Sequence, residues 1–170
     1  MINTGTESTD AIRRRGEAWE LGLQGDYNAA LELIDDLLVE SPSDLVALRM
    51  KGNLLELKTL DLMESGGKKL ASSRDYLAAR DCYEQVLRLD PRNATALIDL
   101  GDHYKNLDAY DKALSYFEQA ANVLGEDNSR SSWNEEVQEL LERSSELAER
   151  RKTPAAVKLQ VACQKMLDRD

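Results

Sequence analysis

A chain of 170 residues is long enough for one domain with a real core and too short for two comfortable ones. Apolar residues at 42% and charged residues at 32% lie in the globular range and exclude wholesale disorder. The net charge of −10 argues against nucleic acid as a main partner, because phosphate is repelled by such a surface unless basic side chains cluster. With 3 prolines and 9 glycines among plentiful Ala, Leu and Glu, the composition favours long helices over strands.

The N-terminal stretch MINTGTESTDAIRRRG holds no apolar run of the signal-peptide kind, and no run in the chain approaches membrane-spanning length. The expectation is a cytoplasmic protein without membrane insertion, opening on a flexible segment at 1–10. The one basic run, Arg13-Arg14-Arg15, is short and followed by Glu17 and Glu20, so it reads as a solvated helix face in preference to a phosphate site.

A stripe then recurs along the chain: Tyr27-Ala30-Ile34-Leu37, Tyr76-Ala79-Tyr83-Val86 and Tyr110-Ala113-Phe117-Ala120. The spacing 3, 4, 3 is that of a helix burying one face, with a small Ala that lets a neighbour come close. Each stripe is followed five residues later by a breaker, Pro42, Pro91 or Gly125. Tyr76 and Tyr110 are 34 residues apart, but Tyr27 and Tyr76 are 49 apart, an excess of 15 around LKTLDLMESGGKKLASS. Two turns added to each of two paired helices preserve the inward face, so the spacing predicts a long hairpin of helices at 45–64 and 68–89. Leu57, Leu60 and Met63 would zip against Leu70 and Leu77, with Leu62 pointing away from the seam. Normal helices joined by a 15-residue loop are the alternative.

After Gly125, residues 126–129 read as a loop, and Ser132-x-x-Glu135 as a capping box that satisfies free backbone donors at a helix start. Trp133, Val137, Leu140, Leu141 and Leu147 define one face of the helix that follows. Glu135 and Glu136 at its start, with Arg150, Arg151 and Lys152 at its end, complement its dipole. Thr153-Pro154 opens a last helix, with Val157, Val161, Met166 and Leu167 as its expected buried face.

Upstream of the third stripe stands Leu97-x-x-Leu100-Gly101-x-x-Tyr104. This resembles the first-helix signature of the tetratricopeptide-repeat (TPR) family, Trp-x-x-Leu-Gly-x-x-Tyr, with Leu97 in place of Trp. Phasing on that glycine places repeats at about 11–44, 45–93 (with the insertion) and 94–127. The second carries Leu48, Lys51, Gly52 and Leu55 at the signature positions, and the first carries Arg14, Glu17, Ala18 and Leu21. The resemblance implies an all-α, right-handed α-solenoid of antiparallel helix pairs: a three-repeat domain at 11–127 with an elongated second hairpin at 45–89, closed by capping helices within 128–170.

Nothing in the sequence marks a catalytic centre. His103 is the only histidine and no second one offers a metal set; Cys82 and Cys163 match no metal or redox spacing and read as free, half-buried thiols. Asp99 and Asp102 share a helix turn without a nucleophile beside them, and Gly66-Gly67 lacks the Lys-Ser/Thr continuation of a phosphate loop. The reading is therefore a protein that is not an enzyme, with no catalytic residues, no metal and no cofactor.

In the family, the first helix of each repeat lines a concave groove. The resemblance carries that role onto Ile12, Arg15, Trp19, Gly22 and Leu23 in repeat one, and onto Val46, Arg49, Asn53, Glu56 and Leu57 in repeat two. In repeat three it falls on Thr95, Ile98, Asp102, Lys105 and Asn106. Arg15, Trp19, Arg49 and Asn53 offer carboxylate clamps, an apolar anchor and backbone pairing for a peptide, or else Trp19 packs on its neighbours and the arginines serve solubility. The chaperone-binding clamp of the family is not reproduced: its five positions hold Arg15, Trp19, Met50, Thr95 and Asp99. The function implied is an adaptor that binds a peptide or helix of another protein in the groove. The alternatives are a small cytoplasmic chaperone for a secretion or assembly client, and a self-assembling module. Leu60, Leu62 and Met63 at the hairpin tip are further contact candidates, and homo-oligomerisation is open.

Overall fold

In a computed structural model of the chain, the described residues are 9–64, 70–126, 133–151 and 153–168. They form eight α-helices and no strand. These are α1 (Thr9–Leu23), α2 (Tyr27–Glu40), α3 (Leu45–Glu64), α4 (Arg74–Leu89), α5 (Ala94–Asn106), α6 (Tyr110–Glu126), α7 (Trp133–Arg151) and α8 (Pro154–Leu167). A single 3₁₀ turn, Leu70–Ser72, precedes α4. The chain falls into two compact units, residues 1–85 and 86–170.

The punctuation of the helices repeats with the sequence. Between α1 and α2 the chain turns through Gly25 at φ 83°, and between α5 and α6 through Asp108 at φ 57°, each two residues before the stripe tyrosine. Left-handed backbone is open to Gly and to Asp, whose short side chain bonds locally; here Asp108 Oδ1 accepts the Tyr110 hydroxyl at 2.6 Å. After α2 and after α4 the proline turns close in the same way, Asp44 N–H on the Ser41 carbonyl and Asn93 N–H on the Asp90 carbonyl, both 3.1 Å. The residue closing each turn then caps the next helix. Asp44 accepts from the Ala47 amide at 2.9 Å and Asn93 from the Ala96 amide at 3.0 Å, each satisfying one orphan donor. Thr153 does the same for Ala156, with Pro154 in the first turn of α8.

In the first unit, Ala18, Ala30, Ile34, Leu37, Ala47 and Leu54 form one core cluster. In the second, α5 to α8 share a core that includes Leu97, Ile98, Phe117, Leu124, Leu140, Leu147, Leu159, Cys163 and Met166. Helix pairing rests on glycine. A Cβ at Gly52 would lie 2.4 Å from Cε1 of Tyr83, and one at Gly101 would lie 2.2 Å from Cε1 of Phe117. The first repeat solves the same problem with different volumes, Ala18 and Ile34 in place of glycine and an aromatic ring, both fully buried.

Several expectations are corrected. Thr9 and Asp10 belong to α1 and not to a flexible segment, since Asp10 helps to start the helix by pairing with Arg13 at 2.8 Å. The second arm of the long hairpin is not α-helical over residues 70–73: α4 starts at Arg74, where Ser73 Oγ accepts the Tyr76 amide at 3.3 Å. Part of the extra length is carried by α3, 20 residues long against 13 for α5, while Ser65 to Lys69 lie outside the described residues. The buried face of α8 is Ala156, Leu159, Cys163 and Met166, leaving Val157 and Val161 about half exposed. Met166 belongs to both sets; the buried residues keep a regular 3, 4, 3 spacing and join the core shared with α6 and α7. Cys163 is fully buried, not half-buried, and His103 is fully buried as well. Of the expected loop at 126–129, Glu126 is instead the last residue of α6, past the breaker Gly125; 127–129, the capping serine Ser132 and the side chains of Trp133, Arg150, Arg151 and Lys152 lie outside the described residues.

Gly52→Ala and Gly101→Ala each lower stability by about 1–3 kcal/mol in urea unfolding, the overpacking cost exceeding the helix-propensity gain of up to ~1 kcal/mol. A stability gain in either variant overturns the close-packing account.

Candidate functional site

The residues expected to line a groove have different fates in the two units. In the first, α1 and α3 pack side by side and run parallel, since contacts near their starts (Arg15 with Asp44) and near the end of α1 (Gly22 against Leu54) follow the same order. Ile12, Trp19 and Leu23 lie on one stripe of α1 and are 52%, 37% and 66% exposed; Val46 at the start of α3 is 50% exposed. Arg49, Asn53 and Leu57 follow Val46 along one face of α3 and are half-buried. Asn53 Oδ1 accepts the Tyr83 hydroxyl at 2.8 Å, which fixes the orientation of its amide.

Four of the expected contact residues, Arg15, Ile98, Asp102 and Lys105, are engaged within the chain. Arg15 is 6% exposed and bridges to Asp44 at 2.8 Å, fastening the start of α1 to the cap of α3. Ile98 is fully buried in the core of the second unit. Asp102 receives Arg143 Nε at 2.6 Å and Lys105 Nζ at 2.7 Å, and Lys105 also reaches Glu146 at 2.7 Å. Helix α7 therefore lies on the first helix of the third repeat, over residues that the family resemblance assigns to a ligand. No repeat signature marks α7, which is why its cover was invisible in the sequence. The signal available was electrostatic: Arg143 and Glu146 are spaced to face one stripe of α5.

The basic run is likewise consumed internally. Arg13 pairs with Asp10 and Glu17, Arg14 with Glu40, and Arg15 with Asp44. At the other end of the unit, the overhanging end of α3 meets the α1–α2 turn. A cleft of about 230 Å³ opens there between Gly25, Asp26, Tyr27, Asn28, Lys58, Asp61 and Leu62. That is below the usual range for a small-molecule site, roughly 300–1,000 Å³. Burial, and then the Asp61 carboxylate that accepts its hydroxyl, raise the Tyr27 phenol above its ordinary value. Leu62 is 60% exposed, whereas Leu60 and Met63 are half-buried.

Among the described residues no group of three His, Cys, Asp or Glu side chains is placed to hold a metal, and no helix is long and apolar enough to cross a membrane. Both cysteines are free. Burial pushes the Cys163 thiol up to about 11, only partly offset by a hydrogen bond with Ser144, and burial raises Cys82 as well. At neutral pH both are therefore thiols and poor nucleophiles.

Comparison with known proteins follows this geometry. Residues 67–130 match the tetratricopeptide-repeat family model. The fold is similar to the Sgt2 TPR domain from Aspergillus fumigatus, at 17% identity and TM-score 0.55 over 86% of each chain. It is also similar to the TPR2B domain of yeast Sti1 in complex with an Hsp70 peptide (20% identity, TM-score 0.57, 82% of this chain and 99% of that one). The first TPR of Spaghetti (RPAP3), bound to the HSP90 peptide SRMEEVD, matches at 15% identity and TM-score 0.55 over 86% and 99%. No curated protein matches. Residues 67–130 thus match the tetratricopeptide-repeat family, and the chain has the all-α helix-pair fold of the TPR domains it is similar to.

Arg15→Ala and Asp44→Ala each cost about 1–3 kcal/mol, and the double variant costs less than their sum, because removing either partner already breaks the bridge. Additive losses in urea melts overturn the pairing. The Cys163 thiol has a folded-state value above that of the unfolded chain, so the stability it confers is complete below about pH 9 and lost as pH rises through about 11. The unfolding free energy of the wild type falls across that window more steeply than that of Cys163→Ala; equal slopes overturn the assignment.

Proposed function

We propose that this protein is a non-catalytic interaction adaptor that docks a peptide or helix of another protein on the α1–α3 face of its first unit. The observation that carries the reading is the open apolar stripe Ile12, Trp19 and Leu23 beside Val46, while α1 buries Arg15, Ala18 and Gly22. In the second unit the first helix of the repeat is covered by α7 and its charges are paired, so the open face belongs to the first unit. Trp19 is the anchor, a large ring held in place by a rigid helix, and such residues dominate the energy of interfaces. Half-buried Arg49 and Asn53 supply polar recognition at its side, Asn53 with its amide already oriented by Tyr83.

The solved relatives in complex with Hsp70 and HSP90 peptides support a peptide-binding use of this fold. The charge set of this face differs from the family's chaperone clamp, so we do not assign it their ligands. We place the protein in the cytoplasm, in keeping with two free cysteines.

A displayed peptide library selected against the wild-type protein, followed by titration of one synthesised binder, tests the reading. Trp19→Ala weakens that binder about tenfold or more, corresponding to a hot-spot loss of ~1.4 kcal/mol or more, with the melting temperature little changed. Equal affinity for wild type and Trp19→Ala removes the face as the docking site.

A further inference from the structure

The stripe on α1 contains a residue that the fold itself does not explain. Gly16 lies in the middle of the helix and is exposed, and a Cβ built on it meets nothing within 4 Å. Its backbone is not left-handed, since Gly25 is the positive-φ glycine of the described residues. Glycine inside a helix lowers helix stability relative to Ala. At Gly22, Gly52 and Gly101 a neighbouring side chain occupies the missing methyl's place; at Gly16 no side chain of the described residues does.

Gly16 belongs to the apolar stripe. At 100° per residue, positions 12, 16, 19 and 23 fall within an arc of about 60°. Their spacing, 4, 3, 4, is that of two turns of a helix–helix seam, and it reads the same from either end. When a second α1 is laid antiparallel on the first, Ile12 meets Leu23 and Gly16 meets Trp19, and the two-fold axis repeats both pairs. The notch over Gly16 then receives the ring of Trp19 from the other copy. The flanking charges obey the same symmetry. Arg13 and Glu20 are exposed and lie seven residues apart on one edge of the stripe, so an antiparallel copy brings each beside the other's opposite charge. Arg13 is held at the surface by Asp10 and Glu17 on its own helix, pairs that cost little to share with a third carboxylate.

We infer that the open face of α1 is a self-complementary surface, covered by a second copy of this chain through antiparallel α1–α1 packing with Trp19 of each copy seated on Gly16 of the other. This rests on the reading of the face as a docking surface and names its occupant when no other polypeptide is bound. A two-fold, isologous contact closes at two copies and leaves no end for a third.

Sedimentation over a concentration series of the full chain, with no peptide added, tests the inference. The wild type passes from monomer to dimer and no further. Gly16→Leu fills the notch, weakens association at least tenfold and leaves the melting temperature equal or higher, because the added side chain has open space on the monomer and favours helix. Misfolding therefore cannot account for the loss. Arg13→Glu weakens the dimer, and Arg13→Glu with Glu20→Arg restores it. A wild type that stays monomeric to its solubility limit, association unaffected by Gly16→Leu, a double charge variant no tighter than the single one, or growth beyond a dimer each overturns the inference. A monomer that still binds the selected peptide through Trp19 overturns the second copy alone; loss of peptide binding with an intact dimer overturns the adaptor reading alone.

Discussion

Two helices can bury a bulky aromatic ring between them only if one backbone yields the space that a methyl group would fill. In this protein that condition is met at Gly52 beneath Tyr83 and at Gly101 beneath Phe117, where a Cβ would lie within van der Waals exclusion of the ring. Each pair fixes how deeply the second helix of a repeat settles on the first. Where that depth is set, the proline turn and its capping Asp44 or Asn93 fall into place to start the next helix. The first repeat reaches the same end with Ala18 and Ile34, a larger residue on one side and a smaller one on the other. What is held constant is summed volume, as expected of interiors packed to crystal-like density.

The same accounting identifies what is left open. Residues spent on packing are not available to a partner, and the structure spends many of those that a family pattern would assign to binding. Arg15 goes to Asp44, and Asp102 goes to Arg143 and Lys105. What remains on the first helix is an apolar stripe with a glycine that packing does not require. Glycine within a helix needs a reason, and where the fold supplies none, the reason is sought outside the chain. The adaptor reading and the paired-copy inference both start from that residue balance, and they differ only in whose polypeptide lies over the stripe.

Chemistry is held down by burial in the places where it might have been looked for. His103 sits fully inside the second unit, and the Cys163 thiol is pushed away from its reactive form by its surroundings. The acidic surplus of the chain is drawn on by pairs such as Arg14 with Glu40, Lys51 with Asp35 and Arg92 with Glu126. Exposed pairs of this kind contribute little stability one by one, and they leave the basic groups of the N-terminal run occupied.

Local periodicity carried the helices, their breakers and the family, because the 3, 4, 3 stripe, the capping residue and the proline turn are all read within a few residues of one another. Tyr76, Tyr83, Gly101 and Phe117 were legible for that reason. The length of α3 was legible too, since the 15-residue excess in the repeat spacing placed its bounds at 45–64. The start of α4 at Arg74 was not, because Ser73 Oγ ends the ambiguity by accepting one amide. Which face of α8 is buried was also missed: the valines were read as inward, and only packing against α6 and α7 turns Ala156, Leu159 and Cys163 to the core. The candidate site divides in the same way. Trp19, Ile12 and Leu23 could be named from their positions in the repeat, but that Asp102 is engaged within the second unit depends on where α7 lies there. Spacing along one helix determines which residues share a face; whether that face meets water or another helix is set by chain segments far away in sequence, and only their packing decides it.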